Sequence, residues 1–66
     1  MPVIVVCRLT GKKNTAPIEV DRRFQRVPCI GEEIAIGSDD YRVTLVRWRE
    51  DDDPLLLLSY LDGDVT

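Results

Sequence analysis

Histidine is absent from this chain of 66 residues, and that absence removes the usual acid–base partner of enzyme chemistry at neutral pH. Without it, a nucleophile–base pair could be assembled only from unusual lysine or cysteine pairings. The adjacent acids Glu32–Glu33 and Asp39–Asp40 do not replace it, because neighbours on a strand point to opposite faces. Asp51, Asp52 and Asp53 lack the interleaved glycine and terminal glutamate of a calcium loop; four leucines follow soon after. The stretch Thr10–Thr15, TGKKNT, lacks the early glycine of a phosphate loop, and Val6 stands in that place. A chain so composed is not expected to be an enzyme, to hold a metal or to carry a cofactor.

Cysteine is equally sparse. Cys7 and Cys29 are too few to fix a disulfide framework, and Cys7 reads as a small buried hydrophobe on a strand. The start MPVIVVCRL has none of the marks of a secretory signal, and no apolar run approaches the ~20 residues of a membrane span. The expectation is a cytoplasmic protein with no membrane partner and with reduced thiols. Aromatic residues are few as well, namely Phe24, Tyr41, Trp48 and Tyr60, so Val, Ile and Leu must fill the core.

What the chain does have is apolar content. Hydrophobic residues make up 44% of it, enough to favour a packed fold over disorder. Residues 1–66 form one small domain, and chains of this size bury only about 60% of their unfolded surface. Short β-branched runs between turn signals indicate strands. Val3–Leu9 is the first, apolar on both faces in its first half. A loop at 10–17 leads to a short strand at Ile18–Val20 and a polar, extended path to Val27. Pro28 and Gly31 mark a turn, Glu32–Ile36 alternates as a strand, and GSDD at 37–40 is hairpin material.

Tyr41–Glu50 is expected to be the longest strand. Tyr41, Val43 and Leu45 share one face, Val46 and Trp48 the other. A bulge or bend at Leu45–Val46 would return all five to one core; a straight strand would leave Val46 and Trp48 outside. The run LLLLSYL at 55–61 reads as a final strand. The alternative is a short helix over 54–61, with Asp53 as N-cap and Pro54 at the first helical position. Asp62–Thr66 is expected to fray.

Five strands separated by turns predict an all-β meander closed as a small barrel. Within it, Pro28-x-x-Gly31-Glu32-x-Ile34 followed by Tyr41-x-Val43-x-x-Val46 resembles the second and third strands of small SH3-like barrels, a pattern met in short bacterial and phage proteins. The resemblance covers about a third of the chain and implies a fold. SH3-like barrels bind peptides, nucleic acids or one another, so it assigns no site residue.

Two surfaces are candidates for function. Val3–Val6, Val46–Trp48 and Leu55–Leu61 supply more apolar side chains than one face of a small sheet needs. Val46, Trp48, Leu58 and Tyr60 are the candidate anchors of a protein interface, with Arg47 and Arg49 at its rim. Such a chain acts as a protein–protein interaction or assembly module, on another protein or on itself as a homodimer. The alternative is nucleic-acid binding. From Arg8 to Arg26 there are six basic residues against two acids, whereas from Val27 onward three arginines face ten acids. Lys12, Lys13, Arg22, Arg23 and Arg26 are the candidate patch, with Phe24 interleaved for stacking. The net charge of −3 works against that alternative.

Overall fold

Alternation of side chains sorts the first strand, β1 (Val3–Thr10), into two faces. In the computed structural model, which describes residues 2–61, Val5 and Cys7 are fully buried while Ile4, Val6 and Arg8 point the other way. The expectation for the C-terminal tail therefore lies outside the described residues. β2 (Ile18–Phe24) returns antiparallel to β1 with Cys7 opposite Val20 and Val3 opposite Phe24. It is longer than its three apolar-patterned residues predict, because β1 supplies ladder partners along its whole length. β3 (Glu33–Ile36) and β4 (Asp39–Arg47) form a hairpin whose turn, Gly37–Ser38, uses a positive φ of 63° at Gly37.

β5 (Leu55–Tyr60) is a strand, and the alternative helix over 54–61 does not form. Tertiary pairing overrides the helical preference of leucine here. The strand is paired on both sides, and Leu56 and Leu58 enter the core with no exposed surface.

All five strands join one strongly curled sheet, a half-barrel, so the all-β expectation holds. Their order, β2-β1-β5-β4-β3, is not the sequential order of a simple meander. The hairpin β1–β2 and the meander β3–β4–β5 meet where β1 runs parallel to β5. Composition explains the arrangement. The two most apolar strands take the centre, the charged β2 takes one edge, and the four-residue β3 takes the other.

The core lies on the inner face, where Val5, Cys7, Ile36, Tyr41, Val43, Leu56 and Leu58 meet. Residues 25–32 must cross from one sheet edge to the other, because β2 and β3 are the outermost strands. Along that crossing Val27 packs against the core and Pro28 is buried. At the opposite end, Lys12 Nζ lies 2.6 Å from Asp39 Oδ2 and 5.8 Å from the centre of the Tyr60 ring. Tyr60 meets Tyr41 edge to face at 5.7 Å, and the Lys12–Asp39 pair ties the β1–β2 loop to the β3–β4 hairpin.

A β-bulge breaks the β4–β5 register between Val43 and Leu45: Val43 faces Leu58, Leu45 faces Leu57, and Thr44 is the extra residue. It precedes the expected position at Leu45–Val46, and it acts differently. Tyr41, Val43 and Val46 share the inner face across the bulge, while Leu45 is turned outwards beside Leu57. Thr44 is the polar residue of this stretch, and its exposed hydroxyl donates to Leu57 O at 3.1 Å. Placing the extra residue there costs no apolar burial.

Candidate interaction surface

Trp48 follows β4 by one residue. The period of two would carry it inwards beside Val46, but the strand ends at Arg47 and the indole stands 70% exposed. The following turn is held by Arg49, whose Nε donates to Asp53 O at 2.7 Å and whose Nη1 lies 3.8 Å from Asp52. Asp52 Oδ1 accepts from Asp53 N, and Val6 N donates to Pro54 O at 2.9 Å. Trp48 is thus presented on a fixed turn beside the sheet's last inner row.

Facing it is the turn at 28–31. Cys29 N donates to Glu32 Oε1 at 2.5 Å, and Glu32 N donates to Cys29 O at 3.1 Å. Gly31 has φ of 92° and donates its N–H to Val43 O at 2.8 Å, which anchors the turn to β4. With Pro28 buried, this geometry pushes Ile30 out to 67% exposure. Trp48 and Ile30 are the two most exposed of the large apolar residues described. Together with Val27, Pro28, Cys29 and Val46 they line a shallow apolar groove of about 400 Å³.

Charge pairing stiffens one wall of this groove. Arg26 holds Glu32 through two hydrogen bonds, of 2.8 and 2.5 Å. Those bonds and the Cys29 N–H lower the Glu32 carboxyl to about pKa 2, and the carboxylate in turn raises the Arg26 guanidinium further above its already high value.

Of the anchors expected from sequence, the structure brings Val46 and Trp48 together. Leu58 has no exposed surface and belongs to the core, so it cannot serve as an anchor. Tyr60 lies at the other end of the sheet, engaged by Tyr41 and Lys12. Arg47 faces the outer side of the sheet, opposite Leu55, and Arg49 is spent on its own turn. Ile30 and Cys29 were not expected at this surface. A lone isoleucine between a proline and a glycine carries no periodic signal, so only the turn's conformation reveals it.

The basic residues are dispersed. Lys12 and Lys13 lie beyond one end of the β1–β2 hairpin; Arg22 and Arg23 lie near the other, paired with Val5 and Ile4. Arg22 and Arg23 point to opposite faces of β2. Lys12 is neutralised by Asp39 and Arg26 by Glu32, so no single basic face assembles from the five. Phe24 packs against the core rather than standing free for stacking.

Compared with known proteins, the chain matches no family model, no curated protein and no solved structure. No helix of the described residues is long and apolar enough to cross a membrane.

Proposed function

We propose that this protein is a non-catalytic protein–protein interaction module on a small SH3-like barrel, working in the cytoplasm with both thiols free. The groove between Trp48 and Ile30 receives an apolar segment of a partner protein. One observation carries the reading: the two most exposed of the described large apolar side chains line one groove framed by two hydrogen-bonded turns. A domain this small has little apolar area to spare, and leaving both residues in water wastes it. Tryptophan is also among the residue types enriched at the anchors of protein interfaces. The SH3-like assignment rests on the pattern at residues 28–46.

The test is affinity capture from a cell extract with immobilised wild-type protein, Trp48→Ala and Ile30→Ser. Circular dichroism checks that all three are folded. A protein retained by the wild type and lost with both folded variants supports the reading. Identical retention by all three contradicts it.

A further inference from the structure

The outer face of the sheet is apolar where it should be covered. Val6 and Leu55 are register partners across the parallel β1–β5 pair, and one row on Leu57 and Leu45 are partners with Arg8 beside them on β1. The four apolar residues are only half buried, and Ile4 beside them is 42% exposed. These five apolar side chains lie together on a face that no core packs against, since the core is on the inner face alone. Nothing in the described chain covers the other.

Charge identifies the cover. The row through Val6 and Leu55 continues to Asp21 on β2 and to Arg47 on β4. Read across the sheet it runs acid, apolar, apolar, base. A two-fold axis parallel to the strands, between β1 and β5, lays this row on its own copy in reverse. Val6 then meets Leu55, and Asp21 meets Arg47, twice. Two other outward pairs are closed at home: Arg8 lies 3.8 Å from Glu19, and Arg42 lies 2.8 Å from Glu33. Among the described residues Asp21 and Arg47 form no ion pair.

They cannot reach each other within one chain, since β2 and β4 are three strand spacings, about 14 Å, apart. The long Arg47 side chain suits the gap that two curved faces leave away from their line of contact. Arg23, one row beyond Asp21, is carried to the level of the acidic turn 50–53 of the second copy.

We infer that the outer face of β1 and β5 is a homodimer interface, closed on each side by Asp21 of one copy and Arg47 of the other. This goes beyond the groove at Trp48, which lies on a different side and stays open in such a dimer.

Sedimentation equilibrium over a wide concentration range tests it with wild type, Asp21→Arg, Arg47→Asp and the double swap. Both positions are exposed, and circular dichroism verifies folding. The expected result is a wild-type dimer, at least about a tenfold rise in dissociation constant for each single reversal, and recovery in the double swap. A wild-type monomer at all concentrations overturns the inference. So does a dimer indifferent to both reversals, or one that the double swap fails to restore. A dimer lost in Trp48→Ala but unaffected by the reversals would also overturn it, while leaving the groove as an interaction surface.

Discussion

Arg26 and Glu32 clasp each other across the crossing that joins the two edges of the sheet, through hydrogen bonds of 2.8 and 2.5 Å. Glu32 also accepts from Cys29 N, so one carboxylate fixes both the crossing and the turn that presents Ile30. Removing it loosens the groove wall without touching the core.

This clasp sets a pH dependence. Glu32 titrates at about 2 in the folded chain against 4.5 for the ordinary carboxyl. A carboxyl whose folded value is lowered stabilises the fold fully above the unfolded value, and that stabilisation is lost as pH falls towards the folded one. The difference in unfolding free energy between wild type and Glu32→Gln should be steady above about pH 4.5 and shrink from there towards about pH 2. Urea titrations across that window measure it. A difference that does not change with pH would show that the carboxylate's charge contributes nothing.

The two cysteines should react very differently. Burial pushes the Cys7 thiol up to about 11, although Arg22 nearby pulls slightly the other way, whereas Cys29 is exposed. The thiolate is the reactive form. A thiol reagent at neutral pH should therefore label one site rapidly in the native protein and two in urea, and Cys29→Ser should abolish the rapid phase. Two rapid native sites would contradict the buried position of Cys7.

Thr44 should be indispensable as a residue though replaceable as a side chain. Deleting it removes the extra position of the bulge, so that either Tyr41 and Val43 or Val46 leave the inner face. The deletion should abolish cooperative unfolding, while Thr44→Ser, which keeps the hydroxyl, should cost under about 0.5 kcal/mol. Cooperative unfolding of the deletion variant at wild-type stability would show that the register can slip without penalty.

Gly11 sits at φ of 87°, and a Cβ there would lie 3.3 Å from Tyr60 N. Gly11→Ala should destabilise by about 1 kcal/mol or more, through backbone strain and displacement of β5. Thermal or urea unfolding reads this directly, and an unchanged midpoint would contradict the close approach.

Strand content was legible because each strand carries its own alternation: Val5 and Cys7, Ile34 and Ile36, Leu56 and Leu58 all face inwards as their spacing of two requires. The order of the strands was not. Pairing of β1 with β5 joins residues about fifty positions apart, and no local pattern encodes it. The face switch in β4 was legible as an event but not in its position. Apolar residues announce which face they need, whereas the bulge went to Thr44, the residue with least to bury. At the surface, Trp48 stood out by residue type alone. Ile30, its neighbour across the groove, became visible only when the turn at 28–31 was laid against the end of β4.

The central claim is that Trp48 and Ile30 serve association and not folding. Urea unfolding of Trp48→Ala, measured at a concentration where the protein is monomeric, tests it most directly. An exposed side chain just beyond the end of β4 should be removable within about 0.5 kcal/mol of wild-type stability. A loss of about 3 kcal/mol or more, the size expected for a core aromatic, would place Trp48 in the interior and leave the groove without its anchor.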